Sequence, residues 1–261
     1  MEDMSNEEAL QQYDVKKYRT PDGYTADIAV FTILSTRDEE YKPPLMDLKM
    51  MLIRRSMLNS EGKPNIEAGK WALPGGFVAP DETAYQSALR ELSEETGVED
   101  IHLKHFGVYD TPGRDPRGWM ITNAHYAIVP EHKLAGRQAN DDADAVELFS
   151  VKDVFELDLA FDHETIIRDA IGVITRDLLQ TTAAREFLPE EFTYSELQAV
   201  LKTVTDQPYV ALDAAFARKI KSFPFIEKAG DKKTNRTSRR PTQLYHFVEA
   251  GFHHSIYSDR Y

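Results

Sequence analysis

The sequence predicts an α/β fold for most of the chain, followed by a smaller domain of mixed helix and strand. Runs rich in β-branched and aromatic residues occur at 24–34, 48–55, 101–109 and 119–129, and two long helical patterns accompany them. The charge is divided unevenly. Residues 187–261 contain 11 Lys and Arg against 9 Asp and Glu, whereas the rest of the chain carries a net −15. We therefore expect two modules with different partners.

The composition excludes several classes of protein. The chain of 261 residues has no cysteine, which excludes disulfides, thiolate metal sites and thiol catalysis. No run approaches the roughly 18 to 20 apolar residues of a membrane span, and the acidic N-terminus lacks the apolar core of a secretory signal. We expect a cytoplasmic protein with no membrane partner, composed of a lead-in at 1–22, a first domain at 23–186 and a second at 187–261.

Each element of the first domain follows from a local pattern. Strands are predicted at 24–34, at 48–55 as its antiparallel partner, and at 101–109, 119–129 and 148–150. A helix is predicted at 83–96, with Asp81 as its N-cap and Gly97 as its stop. A second helix, at 164–182, has apolar residues at helical spacing. Helices combined with these strands indicate an α/β sandwich.

The second domain has the pattern of two helices followed by a basic hairpin. Thr193 and Glu196 have capping-box spacing ahead of the first helix, which ends before Pro208. The second helix is predicted at 213–222. The hairpin is predicted as two strands and a basic loop, at 223–227, 243–248 and 228–240 respectively. This order of elements is typical of a winged helix.

Three carboxylates in the first long helix carry the main functional signal. Glu91, Glu94 and Glu95 are spaced i, i+3 and i+4, so a helix places them on one face. Like charges this close repel each other by about 0.2 to 0.5 kcal/mol per pair, even when they are exposed. A divalent metal ion is the economical partner for them.

The segment around these carboxylates resembles the Nudix box in full. The pattern is Gly-x5-Glu-x7-Arg-Glu-hydrophobic-x-Glu-Glu-x-Gly-hydrophobic. Its specified positions are supplied in register by Gly76, Glu82, Arg90, Glu91, Leu92, Glu94, Glu95, Gly97 and Val98. An ordinary solvated acidic helix would not explain the glycines and Glu82 at these offsets. The resemblance implies a Nudix α/β/α sandwich that cleaves a diphosphate, usually one linked to a nucleoside.

The resemblance also implies a site for Mg2+ (or Mn2+), which prefers oxygen ligands. The implied metal ligands are Glu91, Glu94, Glu95 and the Gly76 carbonyl. Arg90 would pair with Glu82 or with one of the metal-binding glutamates. By analogy with the family, Arg90 and the three glutamates form the catalytic set, and the identity of the general base stays open.

In several Nudix enzymes, an acidic residue beyond the box completes the site. Glu147 is the first candidate for this role and for contact with the substrate. Asp141, Asp142 and Asp144 are alternatives, and a solvated acidic loop explains each of the four equally well.

The loop at 112–119 bears on the substrate class. Pro112 lies 15 positions beyond the last glycine of the box, where Nudix enzymes acting on ADP-ribose tend to have proline. Arg114 and Arg117 are candidates for binding a phosphate in bidentate fashion. Trp119 either stacks on a base or packs in the core.

The same loop, residues 161–163 and the second domain together resemble one Nudix branch, the transcriptional regulators of NAD and sugar metabolism. In that branch the Nudix domain senses ADP-ribose or a related ligand, and many members have a degraded box. The resemblance implies contacts with double-stranded DNA from Arg218, Lys219, Lys221, Lys232, Lys233, Arg236, Arg239 and Arg240. Such a protein would bind a pseudo-palindrome as a homodimer. The alternative for this domain is a dimerisation or lid module with solvated charges.

Two compatible functions are therefore predicted. The first is a magnesium-dependent hydrolase that acts on ADP-ribose or a similar nucleoside diphosphate derivative, and the complete box favours it. The second is a regulator that senses such a ligand, with non-catalytic sensing as the alternative. A dual protein combines the two.

Overall fold

The computed structural model describes residues 6–17, 19–37, 39–59, 61–99, 101–134 and 143–248. The lead-in, for which no regular structure was expected, contains the short helix α1 (Asn6–Gln12) and a 3-10 turn at Val15–Lys17. No residue of α1 is buried, so this helix adds nothing to the core. No helix within the described ranges is long and apolar enough to cross a membrane.

A seven-stranded mixed sheet forms the centre of the first domain. Its strands are β1 (Gly23–Thr36), β2 (Leu45–Arg55), β3 (Trp71–Ala72), β4 (Gly75–Phe77), β5 (Leu103–Tyr109), β6 (Met120–Ile128) and β7 (Ala143–Ser150). The order is β3-β2-β1-β6-β5, with β4 paired to β1 and β7 paired to β2. The antiparallel pairing of β1 with β2 is confirmed, and β1 also runs parallel to β6. The two shortest strands, β3 and β4, were not predicted because no alternation can be recognised over two or three residues.

One long helix covers each face of the sheet. The helix α2 (Ala84–Thr96) buries Leu92 in one core, and α3 (His163–Gln180) buries Ile167 in the other. Alternate residues of β1 enter the two cores: Ala26, Ile28 and Val30 on the α2 side, and Ala29, Phe31 and Ile33 on the α3 side. The α/β/α sandwich is therefore confirmed.

The helix α2 begins one residue later than predicted, and its N-cap lies two residues after the predicted Asp81. Its N-cap is Thr83, whose hydroxyl accepts a hydrogen bond from the Gln86 backbone while the Gln86 side chain accepts one from the Thr83 backbone. This reciprocal pair satisfies two donors of the first turn, and Asp81 lies too early in the chain to do so. Gly97 ends the helix in a left-handed conformation with φ 70°, as predicted.

The second domain is a winged helix, as predicted. Its elements are β8 (Phe192–Thr193), α4 (Tyr194–Lys202), α5 (Pro208–Ala211), α6 (Asp213–Lys219), β9 (Ile226–Thr234) and β10 (Thr242–Phe247). Thr193 and Glu196 form the predicted capping box of α4. A 3-10 turn at Ile220–Ser222 extends α6.

The wing has more strand and less loop than predicted. Residues 228–234 of the predicted loop belong to β9, because this strand continues to Thr234 in pairing with β10. The sheet has three strands, in the order β8-β10-β9, since the two residues of β8 pair with β10. The helix α4 ends at Lys202, before the predicted break at Pro208. Pro208 instead starts α5, because proline fits the first turn of a helix.

The two domains share a hydrophobic core and an ionic contact. The core beneath α3 continues through Leu197 of α4 and Phe216 of α6. The Glu196 carboxylate accepts two hydrogen bonds of 2.7 Å from Arg236, and the Arg37 guanidinium at the end of β1 lies 3.6 Å from it. The predicted domain boundary at 186/187 falls inside a 3-10 helix at Ala183–Phe187 and stays a prediction.

Candidate active site and nucleic-acid interface

A glycine turn lies directly against the carboxylate face of α2. The buried Glu95 carboxylate accepts a 2.8 Å hydrogen bond from the Gly75 amide. A Cβ atom on Gly76 would overlap the Glu91 carboxylate, so any other residue there would displace this carboxylate from its present position. Burial raises the pKa of Glu95 well above its usual range and also raises the pKa of Glu91. The Glu91 and Glu95 carboxylates are thus shielded from water, which would otherwise stabilise their negative charge.

Arg90 is the cation that the structure places among these carboxylates. Its guanidinium donates to both oxygens of Glu82, at 2.7 and 3.2 Å, and to Glu91 at 2.8 Å and Glu94 at 2.9 Å. A further bond of 3.1 Å reaches the Phe77 carbonyl. The hydrogen bonds from Arg90 lower the pKa of Glu82 to about 2, so this carboxylate stays ionised. Both ion pairs that the sequence allowed for Arg90 are therefore present.

The residues suit a divalent cation in their donor chemistry, although Arg90 competes for two of them. In the described part of the chain, no three His, Asp or Glu side chains are arranged to hold a metal ion. The reason is that Arg90 binds Glu91 and Glu94 while Glu95 faces Gly75. Carboxylate oxygens beside a close glycine backbone are nevertheless the ligands that magnesium prefers. Arg90 bonds Oε1 of Glu91 and Oε2 of Glu94, so a metal ion would use the other oxygen of each carboxylate.

A cavity of about 1140 Å³ opens above the box. One wall carries Glu91, Glu94 and Glu95. Three exposed apolar side chains from the loop after β2 form another part of the lining: Met57, Leu58 and Ile66. Such a cavity suits a ligand with a charged part and an apolar part.

The structure places Asp144, and not Glu147, at this cavity. Val146 and Leu148 pack on the α2 side of the sheet, so Glu147 faces the α3 side, away from the box. Asp144 is the extra residue of a β-bulge, because Arg54 pairs with Ala145 and the next residue of β2 pairs with Ala143. Asp144 lines the cavity. Glu147 does not line this cavity, and its role at the site stays a prediction. The alternatives Asp141 and Asp142 lie outside the described residues.

Arg114 and Arg117 differ in their surroundings. The Arg114 side chain is only 4% exposed, and it donates to both oxygens of Asp162, at 2.8 and 2.6 Å, and to Thr122 at 3.0 Å. Its guanidinium is thus committed to the protein, which argues against the predicted ligand contact. The Arg117 guanidinium is held by Asp115 at 2.6 Å, and it lines the large cavity.

Arg117 is also packed between two aromatic rings. Its guanidinium carbon lies 5.2 Å from the centre of the Phe77 ring and 5.0 Å from that of Phe161. Neither Pro112 nor Trp119 lines the large cavity or the smaller cavity beside Asp27. Trp119 precedes β6, and its backbone amide donates a 2.8 Å hydrogen bond to the Asp22 carboxylate.

Two buried ionisable residues beneath the glycine turn were missed in the sequence. The Asp27 carboxyl lies in β1 beside Gly75, and its burial raises the pKa of Asp27 to about 7. His163 accepts a 2.9 Å hydrogen bond from the Leu73 amide at Nδ1, and its Nε2 lies 3.9 Å from Asp27. Burial lowers the pKa of His163 to about 3, so the ring is neutral. The sequence signal for a buried ionisable group was Asp27 itself, an acidic residue in the otherwise apolar run of β1.

The second domain presents basic side chains on α6 and on the wing. Exposed cations are Arg218, Lys219, Lys221, Lys232, Lys233, Arg239 and Arg240. Lys232 is paired with Glu191 at 2.5 Å. Arg236 differs from these residues, because its guanidinium is bonded to the buried Glu196 carboxylate. These bonds join the wing to α4, and the predicted DNA contact of Arg236 stays a prediction.

Comparison with known proteins identifies both domains. The NUDIX domain family matches residues 27–170, and the NrtR DNA-binding winged helix domain matches residues 184–247. The ADPR responsive transcriptional repressor NtrR of Acinetobacter baylyi is 28% identical over 94% of this chain and 89% of its own length. The ADP-ribose pyrophosphatase of Methanocaldococcus jannaschii is 41% identical over 47% of this chain and 66% of its own length.

One solved structure combines the same two domains with nucleic acid. Shewanella oneidensis NrtR, solved in complex with a 27mer DNA, superposes with a TM-score of 0.62 at 28% identity, over 86% of this chain and 93% of that chain.

Proposed function

This chain belongs to the Nudix family and carries an NrtR-type winged-helix domain, and from this premise we propose that it is a ligand-responsive DNA-binding protein that also hydrolyses its ligand. The ligand is a nucleoside diphosphate sugar of the ADP-ribose type. The observation that carries the proposal is the complete box, with its carboxylates facing a large cavity, in a chain whose second domain exposes a basic surface. Its full-length similarity to an ADPR responsive repressor supports the regulatory part.

The regulatory part assigns DNA contacts to the exposed cations. The helices α4 to α6 of the second domain would present α6 to the major groove, with Arg218 and Lys219 near the backbone. The wing residues would contact neighbouring phosphates. A homodimer would match the two half-sites of a pseudo-palindrome. Several phosphate contacts would make the affinity steeply dependent on salt.

The catalytic part assigns metal binding to Glu91, Glu94, Glu95 and the Gly76 carbonyl. When bound, Mg2+ (or Mn2+) would neutralise charge on the diphosphate and lower the pKa of a water molecule that attacks phosphorus. The Gly75 amide keeps the Glu95 carboxylate in place. Arg90 ties the helix to Glu82 and to the Phe77 carbonyl, which fixes the glycine turn against α2. Arg117 supplies positive charge to the ligand from the other side of the cavity.

A turnover assay tests the catalytic part. Pure protein with magnesium should convert ADP-ribose to AMP and ribose 5-phosphate. Glu95→Gln should reduce turnover by about 10²-fold or more, because it removes the negative charge of a proposed metal ligand itself. Glu147→Gln is the matched control, because this acid faces the opposite side of the sheet, and it should leave turnover unchanged. The catalytic part fails if no nucleoside diphosphate derivative turns over.

Non-catalytic sensing is the second candidate function. It is favoured by the similarity of nearly the whole chain to a transcriptional repressor. Calorimetry with ADP-ribose separates the two candidates. Binding accompanied by magnesium-dependent turnover supports the dual protein, whereas binding without turnover leaves a sensor.

A further inference from the structure

We propose that His163 is a positioning residue for the glycine turn, residues 73–76, and that it thereby sets the metal affinity of the box. The inference rests on the proposed function, because the Gly76 carbonyl of this turn is one of the proposed metal ligands. It assigns a role at the site to the first residue of α3, a helix that covers the opposite face of the sheet from α2.

Side chains from two different helices bind the two backbone amides on either side of Pro74. The Leu73 amide donates a 2.9 Å hydrogen bond to Nδ1 of His163 in α3. The Gly75 amide donates a 2.8 Å hydrogen bond to the Glu95 carboxylate of α2. Pro74 has no amide hydrogen, and its carbonyl accepts a 2.8 Å hydrogen bond from a backbone amide of β1. Residues of α3, α2 and β1 thus hold three consecutive residues of the turn.

The backbone of this turn needs such contacts to keep its shape. Gly75 has a φ of 154°, and a Cβ atom there would lie 2.3 Å from the Ala26 carbonyl oxygen. Unusual backbone conformations persist where surrounding contacts over-determine them. Leu73 is only 2% exposed, so its amide would have no partner in water if Nδ1 of His163 were removed. The turn would then have to shift to recover an acceptor.

The hydrogen bond to Leu73 also specifies the state of the His163 ring. A backbone amide can only donate, so Nδ1 is the acceptor and the ring proton lies on Nε2. Burial lowers the pKa of His163 to about 3, which keeps the ring neutral near neutral pH. The acceptor that holds the turn is therefore present whenever the site is folded at that pH.

The start of α3 is anchored so that its first residue meets the turn. The segment 158–160 runs alongside β3 and exchanges two backbone hydrogen bonds with Trp71, of 2.9 and 2.8 Å. Asp162 then accepts hydrogen bonds of 2.8 and 2.6 Å from the buried Arg114 guanidinium. These contacts fix the backbone on both sides of the bond between the turn and His163.

The turn in its place connects His163 to the carboxylates of the box. A Cβ atom on Gly76 would lie 2.3 Å from Oε1 of Glu91, so this backbone and this carboxylate are packed together. A shift of the turn would therefore move both the proposed carbonyl ligand and the carboxylate beside it. Groups that orient metal ligands typically contribute about 10- to 100-fold to metal affinity. His163 does not line the large cavity, so it acts through the turn and not on the ligand itself.

Two polar variants of His163 test the position of the acceptor. His163→Asn places a carbonyl oxygen at the site of Nδ1, where it can accept the bond from the Leu73 amide, whereas His163→Gln places its amide group near the site of Nε2. Mn2+ alone is the probe, and electron paramagnetic resonance with the full-length protein measures the free ion. His163→Gln should weaken Mn2+ binding by about 10-fold or more. His163→Asn should retain most of the wild-type affinity.

Kinetics and ligand binding separate positioning from a general loss of structure. In His163→Gln, kcat for ADP-ribose at a fixed Mg2+ concentration should fall while KM changes little. Calorimetry in EDTA should give the wild-type affinity for ADP-ribose, because His163 does not line the large cavity. His125→Leu is the matched control, since this histidine is also buried and its Nδ1 has no hydrogen-bond partner among the described residues. It should bind Mn2+ as the wild type does.

The outcomes separate the inference from the proposed function. Equal Mn2+ affinity in His163→Gln and wild type overturns the inference alone, as does equal weakening in His163→Gln and His163→Asn. A parallel loss of ADP-ribose affinity in EDTA also overturns it, because His163 would then support the fold as a whole. Should thermal unfolding show that His163→Gln does not fold, retained Mn2+ affinity in His163→Asn supports the inference and lost affinity overturns it. If the wild-type protein binds no Mn2+, the catalytic part of the proposed function and the inference fall together.

Discussion

Asp27 makes the free energy of unfolding of the protein depend on pH. This carboxyl is buried beneath the glycine turn, among Arg114, Thr122 and His163. The cost of burying its charge raises the pKa to about 7, so the folded state binds a proton that the unfolded chain releases near pH 3.8. Its contribution to stability is complete below about pH 3.8 and is lost as the pH rises to about 7.

The first prediction concerns this proton. Between pH 5 and pH 8, the free energy of unfolding of the wild type should fall by about 2 to 3 kcal/mol more than that of Asp27→Asn. Each unit of pKa shift corresponds to about 1.4 kcal/mol. Urea unfolding at the two pH values measures the difference. Asp206→Asn, at an exposed position, is the control and should show the same change in free energy of unfolding as the wild type. Parallel behaviour of Asp27→Asn and wild type would show that Asp27 ionises normally.

Single residues also mark the limit of the sequence prediction within the site. The box glutamates and their glycines could be placed because a helix fixes their spacing. Asp144 could not be preferred over Glu147, because the bulge that turns Asp144 toward the cavity arises from pairing between β2 and β7. Arg114 and Arg117 look equivalent in the sequence. Only the positions of Asp162 and Phe161, more than 40 residues later, distinguish them.

At the scale of elements, α2 determines the geometry of the site because it carries three candidate metal ligands. Its first turn is fixed by the capping box of Thr83 and Gln86, and its last by Gly97. Long elements such as α2, α3, β1 and β6 could be predicted from periodicity. The short elements β3, β4, β8 and α5 could not, since they form only in pairing or packing with distant segments.

The second prediction concerns the cap of α2. Thr83→Ala removes an acceptor for the Gln86 amide and should lower the free energy of unfolding by about 1 kcal/mol. Chemical denaturation measures the change. Asp81→Ala should have almost no effect, because Asp81 does not cap the helix. The reverse order of effects would restore Asp81 as the cap.

At the scale of the whole molecule, ionic contacts of Glu196 join the wing to α4 and bring both close to the end of β1 in the first domain. Glu196 caps α4 and at the same time binds Arg236 of the wing, while Arg37 approaches from the end of β1. The shared core beneath α3 extends this connection into the interior. A ligand that displaces β1 or its neighbours therefore has a physical route of packed and ion-paired residues to the winged-helix domain.

The third prediction separates structural from DNA-binding arginines. Arg236→Gln should lower the free energy of unfolding by about 2 kcal/mol, less than for a fully buried pair because Arg236 is partly exposed. The slope of log affinity against log salt should stay unchanged in this variant. Arg218→Gln should instead leave stability unchanged and reduce the magnitude of that slope by about 1. An altered salt slope in Arg236→Gln would return this residue to the DNA interface.

The coupling of ligand and DNA in one chain is the central claim, and a single titration tests it most directly. Fluorescence anisotropy of labelled DNA from the region upstream of the protein's own gene is measured with the full chain in EDTA, with and without ADP-ribose. We predict that ADP-ribose changes the DNA affinity by about 5-fold or more and that Arg117→Gln abolishes the change. Specific DNA binding that is indifferent to ADP-ribose, or no specific binding at all, would contradict the account.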